Sequence, residues 1–199
     1  KSEVKMVVYD CDPRNVSSLS RWTHTQKVNV RNERELDQII IKAIEGDEQV
    51  VILDLPGSSA DLLQPYLEVA GSWLNQKGVK LNVVHPLTAD DATLNAAIQW
   101  SQTFLGIADF SVIISQKDGH VDLKANSSGQ LLTKLAQGRV AVIPRIADHL
   151  MEQFRKQQLL LSDLCASDKL HFLDRTRLAE AGRQIWDSLA PIVSSWTGK

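Results

Sequence analysis

Five short apolar runs, separated by segments with helical spacing, restrict what this chain can fold into. The runs are residues 4–9, 50–53, 81–84, 110–114 and 140–143, each bounded by polar or turn residues. Their near-continuous apolar character is typical of strands covered on both faces. Because strand and helix alternate, the crossovers favour parallel strands. The sequence therefore predicts a doubly wound α/β fold over residues 1–199 as a single domain: a mostly parallel sheet with helices on both faces, in a Rossmann-like three-layer arrangement.

Helices are predicted where apolar residues recur every three or four positions. These segments are 36–43, 62–70 and 94–101, followed after residue 143 by helices over 146–154 and 178–192. Gly46, Gly78 and Gly138 each follow a helical segment and precede a strand, so we expect them at helix C-termini. Residues 117–128 favour a surface loop.

Composition excludes several classes of protein. Apolar residues make up 43% of the chain and charged residues 23%, which is ordinary globular usage and not that of disordered sequences. The net charge of −2 predicts no general attraction to nucleic acid or membranes. Cys11 and Cys165 match no zinc spacing, so we expect reduced thiols in a cytoplasmic protein. No apolar run approaches the roughly 20 residues that span a bilayer, and we expect no integral membrane association.

Carboxylates follow the first two predicted strands. Asp10 and Asp12 come after the first run, and Asp54 ends the second. In an open parallel sheet, ligands lie outside the carboxyl ends of the strands. Carboxylates there can hold Mg²⁺ through its water shell and orient a water for phosphoryl transfer. An Asp after a strand can equally be a helix cap or turn residue, and the residues alone leave both interpretations open.

Four segments resemble, in order, those of ParA/MinD-class P-loop ATPases. Residues 7–13, Val-Val-Tyr-Asp-Cys-Asp-Pro, resemble the second-strand motif Asp-x-Asp-Pro. Residues 50–57 are similar to the Walker B strand with its following Pro and Gly, and residues 82–91 to the next strand and its polar loop. Residues 142–145 resemble the last strand entering the base-binding loop. The resemblance covers nearly the whole chain and is nearest to relatives from plasmid partition and conjugative transfer.

This resemblance implies a P-loop NTPase fold and a nucleotide-dependent switch that positions DNA or protein. It implies ATP and Mg²⁺ as cofactors, a nucleotide-dependent homodimer, and a protein partner or DNA as cargo. The implied site residues are Asp10 and Asp12 for catalysis, Asp54 for the Mg²⁺ shell, and Gln116, Pro144 and Arg145 at the base.

Two departures from the family pattern leave a second possibility open. The phosphate-binding loop Gly-x-x-x-x-Gly-Lys-Ser/Thr is absent from the sequence. We expect that about 30 residues carrying a strand, that loop and a helix precede residue 1 in the native protein. Alternatively, the chain is a degenerate, non-catalytic scaffold of the same fold. Gln116 also stands where the family usually has an Asn that reads adenine.

A third possibility is a phosphotransferase similar to haloacid dehalogenases. Asp10-Cys11-Asp12 also matches an Asp nucleophile followed two residues later by an acid/base Asp, with Mg²⁺. This class also needs a Ser or Thr after the second strand, a later Lys and an acidic pair. Ser58 and the pair Asp90-Asp91 are candidates, although the order of the segments and the Pro-Gly after Asp54 fit this class poorly. Separately, the basic segment 14–34 is either a nucleic-acid or partner contact or a solvated loop.

Overall fold

A computed structural model describes residues 5–12, 25–56, 59–157 and 161–197. The strands in this part of the chain are β1 (Met6–Asp10), β2 (Thr25–Lys27), β3 (Val50–Asp54), β4 (Asn82–Leu87), β5 (Asp109–Ser115) and β6 (Val140–Ile143). The helices are α1 (Glu33–Glu45), α2 (Ala60–Gln76), α3 (Asp91–Thr103), α4 (Ser127–Leu135), α5 (Asp148–Gln157), α6 (Leu161–Ala166) and α7 (Phe172–Thr197).

The fold is α/β, with two parallel three-stranded sheets flanked by helices, and it is compatible with a Rossmann-like three-layer architecture. The chain divides into two compact units, residues 1–79 (unit 1) and residues 80–199 (unit 2). Unit 1 contains the sheet β2-β1-β3, and unit 2 contains the sheet β4-β5-β6. Neighbouring strands are parallel in both sheets. The predicted class and strand direction are confirmed, whereas the single domain stays a prediction.

In unit 1, α1 covers one face of the sheet. Alternate residues of a strand project to opposite faces, so Val7, Tyr9 and Cys11 share a face, and all three pack with Ile39 of α1. The Asn32 side chain caps the first turn of α1 by accepting a backbone N–H. Residues 8 and 10 therefore belong to the opposite face of β1.

In unit 2, α3 and α4 pack on one face of the sheet. The buried cluster there comprises Leu87, Ala97, Phe110, Val112, Ile114, Leu123, Leu132 and Ala136. Helix α7 contacts β6, where the backbone N–H of Val142 donates to Ser188 Oγ at 2.6 Å. The Ser188 hydroxyl of α7 therefore accepts a hydrogen bond from a backbone N–H of β6, the edge strand of this sheet among the described strands.

The five predicted strands are confirmed, with ends that differ by up to three residues. Strand β2 and helix α6 are elements that the sequence pattern does not predict, and α4 is indicated only as the helical segment before Gly138. Gly78 and Gly138 follow helix ends with φ of 76° and 75°, the left-handed conformation that favours glycine. Gly46 also caps its helix, but with an ordinary φ of −83°. The loop predicted over residues 117–128 ends where α4 begins at Ser127.

Candidate functional site

The first group of predicted site residues lies at the carboxyl ends of β1 and β3. Asp10 and Asp54 are direct partners in the register of these strands. The Cys11 N–H donates to the Asp54 carbonyl oxygen at 2.9 Å, which extends the pairing one residue past β1. Paired residues of parallel strands project to the same face, so both carboxylates belong to one face of the sheet. The Asp12 N–H donates to Asp10 Oδ1 at 3.3 Å. The structure therefore brings Asp10, Asp12 and Asp54 to one edge.

Among the described residues, like charges act on Asp54 and Cys11 at this edge. Burial raises the pKa of Asp54, and the negative charges of Asp10 and Asp12 raise it further. Burial, together with Asp10 and Asp54, raises the pKa of the Cys11 thiol to about 11. A raised pKa keeps the Cys11 thiol protonated at neutral pH, which does not favour a nucleophilic role. Asp10 is only 4% exposed, so its carboxylate lies in a partly desolvated setting.

The carboxylate edge fits Mg²⁺ through its water shell. Within the described ranges, no three His, Cys, Asp or Glu side chains are arranged to hold a metal ion directly. Mg²⁺ usually keeps several waters and binds through one or two carboxylates. The donors at this edge are carboxylate oxygens, which Mg²⁺ prefers. Asp10, Asp12 and Asp54 can therefore accept hydrogen bonds from metal-bound water.

The second group of predicted site residues lies in unit 2, after β5 and β6. The Gln116 N–H donates to the Ile143 carbonyl oxygen at 3.1 Å, which places Gln116 beside the chain that continues into Pro144. The Gln116 amide nitrogen is 3.4 Å from His120 Nδ1. Arg145 is exposed, and its guanidinium lies 3.4 Å from the Asp148 carboxylate. The structure thus places the Gln116 backbone beside the segment that enters Pro144 and Arg145.

The residues of the phosphotransferase interpretation have other roles or lie outside the described ranges. The Asp90 carboxylate caps α3 by accepting the Ala92 N–H at 2.9 Å. Ser58 lies outside the described residues. The same holds for Pro13 and Gly57 of the family-like segments, and for residues 14–24 of the basic segment.

Lys27 is a residue of the carboxylate edge that sequence reasoning did not place there. Strand β2 pairs with β1 on the side opposite β3, and its register sets Lys27 beside Asp10. The Val28 N–H donates to the Asp10 carbonyl oxygen at 3.0 Å, which continues this pairing. The segment Thr-Gln-Lys carries no apolar pattern, so the sequence offered no signal for the strand or for the position of its lysine.

Comparisons with family models, curated proteins and solved structures give no match to this chain. In the part of the chain that the structure describes, no helix combines the length and apolar character needed to cross a membrane. Cys11 and Cys165 are both free thiols. The case for a function therefore depends on the residues and geometry of the chain itself.

Proposed function

We propose that this chain is a nucleotide-dependent switch of the ParA/MinD type, acting in the cytoplasm in plasmid partition, conjugative transfer or a related positioning of DNA or protein. The observation that carries the proposal is the direct strand pairing of Asp10 with Asp54, with Asp12 beside them, at the carboxyl edge of a parallel sheet. Ligands of such sheets bind at this edge. The order of the four family-like segments supports the same class, and the free thiols are compatible with a reducing compartment.

The three carboxylates have distinct roles in this proposal. Bound Mg²⁺ would neutralise phosphate charge. Asp54 would accept hydrogen bonds from the metal's water shell, while Asp10 and Asp12 would orient water at the same edge. By resemblance, Gln116, Pro144 and Arg145 contact the base.

The chain's own residues do not fit the triphosphate as well as they fit Mg²⁺. The sequence contains no Gly-x-x-x-x-Gly-Lys-Ser/Thr loop, which in the family cradles phosphates with backbone N–H groups. We therefore assign no hydrolytic step to these 199 residues and expect them to bind ATP weakly or not at all. The partners that the resemblance implies are a second copy in the nucleotide-bound state and a protein or DNA cargo.

A non-catalytic scaffold of the same fold is the second candidate. Two observations favour it: the Arg145 guanidinium is paired with Asp148, and the Gln116 amide contacts His120. Both interactions occupy groups that would otherwise be available to a base. The two candidates differ in what they require of the carboxylate edge, because only the switch needs Mg²⁺ there.

Metal binding at the carboxylate edge tests the proposal directly. Mn²⁺ serves as the probe for Mg²⁺, and its free concentration is followed by electron paramagnetic resonance. The wild-type chain should bind Mn²⁺ in the millimolar range, and Mg²⁺ should displace it. Asp54→Asn, a nearly isosteric change, should weaken binding about tenfold because it removes one charge from the edge. Circular dichroism checks that the variant is folded.

Asp47→Asn is the matched control. Asp47 precedes β3 at the amino end of the same sheet, where it pairs with Lys5 at 3.1 Å, so its loss should leave Mn²⁺ binding unchanged. Equal Mn²⁺ affinities for wild type and Asp54→Asn would contradict the switch and favour the scaffold. A calorimetric titration with ATP and Mg²⁺ completes the test, because micromolar affinity would contradict the expected weak binding.

A further inference from the structure

Helix α2 carries exposed apolar residues in addition to those that it buries. The large side chains that α2 buries are those of Leu63, Tyr66, Leu67 and Leu74. Pro65, Val69 and Trp73, spaced four residues apart, lie outside this set: Pro65 is exposed, Val69 is 81% exposed and Trp73 is 42% exposed. Single exposed apolar residues are ordinary on protein surfaces, but three neighbours along one helix form a patch that needs an explanation.

Opposite charges flank this apolar patch. The same four-residue spacing places Asp61 before Pro65 and Lys77 after Trp73, and both charged residues are exposed. The Lys77 ammonium lies 5.9 Å from the centre of the Trp73 ring, which sets it at the end of the patch. Residues four apart on a helix form a ridge along its surface. We call Asp61, Pro65, Val69, Trp73 and Lys77 the α2 ridge, which is acidic at one end, apolar in the middle and basic at the other.

This pattern is complementary to its own reverse. Packing of i±4n ridges is the commonest arrangement of helix pairs, with the axes crossing at about 50°. In an antiparallel pair with a two-fold axis at Val69, Pro65 of each copy lies opposite Trp73 of the other. The same symmetry sets Asp61 of each copy opposite Lys77 of the other, so both ends of the pair combine opposite charges. The antiparallel orientation also brings the positive end of each helix dipole beside the negative end of the other.

We propose that the α2 ridge is a self-association surface, through which two copies of this chain form an antiparallel, two-fold symmetric dimer. A second copy is the occupant because the order of charges along the ridge matches the ridge itself when reversed, as a two-fold interface requires. The inference goes beyond the proposed function, since it involves neither the carboxylate edge nor a nucleotide. A single helix crossing is a small interface of the transient class, so we expect reversible association at roughly 10–100 µM chain.

Sedimentation equilibrium of the wild-type chain, in a chelator and without nucleotide, tests the inference. We expect a reversible equilibrium between monomer and dimer. Val69→Asp brings two carboxylates together at the two-fold axis, so it should weaken association at least about tenfold. Circular dichroism checks that this variant is folded, as expected for a change at an exposed position. Ile41→Ser is the matched control: Ile41 is an exposed apolar residue of the same unit but lies on α1, so association should be unchanged.

Charge reversal tests the antiparallel geometry. Asp61→Lys and Lys77→Asp each set like charges opposite one another at both ends of the dimer, so each variant alone should associate about three- to tenfold more weakly. An equimolar mixture of the two variants should form a heterodimer with about the wild-type affinity, because each end then combines a lysine with an aspartate. A parallel pair predicts no loss for either variant alone.

Other outcomes would overturn the inference. A wild-type chain that stays monomeric at every soluble concentration would leave the ridge to a different partner. Equal association of wild type and Val69→Asp would place the dimer interface elsewhere, and a mixture of Asp61→Lys and Lys77→Asp that associates no better than either alone would contradict the antiparallel pairing. A dimer that forms only when ATP and Mg²⁺ are added would remove this inference and support the proposed switch.

Discussion

Both units place an aspartate at the end of a strand, but the two carboxylates have opposite electrostatic settings. Asp109, the first residue of β5, lies 3.2 Å from Lys80 Nζ and 3.3 Å from an Arg139 guanidinium nitrogen. Asp54, the last residue of β3, has Asp10 as its direct strand partner, and nearby carboxylates raise its pKa. Charge is therefore balanced around Asp109, whereas the charged residues that act on Asp54 within the described ranges are carboxylates.

This difference separates a structural carboxylate from a candidate functional one. The cations around Asp109 also interact with the rest of unit 2: Lys80 donates to the Ser195 carbonyl oxygen near the end of α7, and Arg139 donates to the Phe110 carbonyl oxygen. These contacts hold sheet and helix together. A cluster of like charges stabilises nothing by itself, and it is commonly found where a protein binds a ligand of opposite charge.

Asp109→Asn should destabilise the protein more than substitution of any other aspartate in this comparison. It leaves Lys80 and Arg139 without their shared carboxylate, and the Arg139 side chain is only 19% exposed. We expect the free energy of unfolding of unit 2 to fall by about 1–2 kcal/mol. Hydrogen exchange measured by mass spectrometry should show faster exchange in peptides from β5 and β6, with peptides from β1 and β3 unchanged.

Asp148→Asn is the control for this change. Asp148 also pairs with an arginine, Arg145, but both side chains are exposed, so little stability should be lost. Equal exchange rates in Asp109→Asn and wild type would show that the balanced cluster is not structural, and the comparison between the units would fail.

Asp54→Asn should change stability in the opposite direction and stabilise the metal-free protein at neutral pH. Because the folded state raises the pKa of Asp54, it binds more protons than the unfolded state. The stability that this carboxyl contributes is full below its ordinary pKa of 3.8 and is lost as pH rises through the folded value. The variant should therefore unfold at a higher temperature than wild type at pH 7 and at the same temperature below pH 3.8. Thermal unfolding in the presence of a chelator measures both, and a lower unfolding temperature at pH 7 would contradict the repulsion.

Acid should lower the stability of unit 2 through His85, in the direction opposite to its effect through Asp54. Burial lowers the pKa of His85, whose ring centroid lies 6.3 Å from those of both Trp100 and Phe110. The unfolded state thus binds more protons, and stability is lost as pH falls below the ordinary value of 6.5 and through the folded pKa. We expect a smaller loss than in Asp109→Asn.

Denaturant unfolding of His85→Leu and wild type at pH 7 and pH 5 measures this effect. The variant should lose less stability than wild type between the two pH values, because a leucine cannot be protonated. Every other residue is the same in both proteins, so the difference isolates His85. An equal loss in the two proteins would show that His85 does not contribute to the acid response.

The sequence was sufficient to predict the carboxylate edge because its signals are local. Apolar runs locate β1 and β3, and the ends of parallel strands in one sheet share an edge. These two facts alone predict that Asp10 and Asp54 lie at the same edge of the sheet. The charged groups around Asp109 could not be found in this way, because Lys80 and Arg139 lie about 30 residues away along the chain and meet it only through folding.

Other parts of the structure depend on tertiary contacts that leave no local pattern. Strand β2 is a polar tripeptide that exists by pairing with β1, so neither it nor Lys27 was predictable. The first turn of helix α4 approaches another segment so closely that a Cβ on Gly129 would collide with the Leu123 backbone carbonyl. The periodicity of apolar residues indicates which face of a helix or strand is buried. It contains no information about how closely two segments approach each other.

The smallest change in stability should come from Asp47→Asn. This variant tests whether burial determines how much stability a balanced ion pair contributes. Lys5 and Asp47 form a balanced pair at the amino end of the unit 1 sheet, as Lys80 and Asp109 do in unit 2, but their side chains are 64% and 89% exposed. Water and salt screen such a pair, so its loss should change the free energy of unfolding by less than about 0.5 kcal/mol. Urea unfolding at low and at 0.5 M salt measures the change, which should shrink further as salt rises. A loss as large as that in Asp109→Asn would show that position at a strand end, and not burial, determines the stability that a balanced pair contributes.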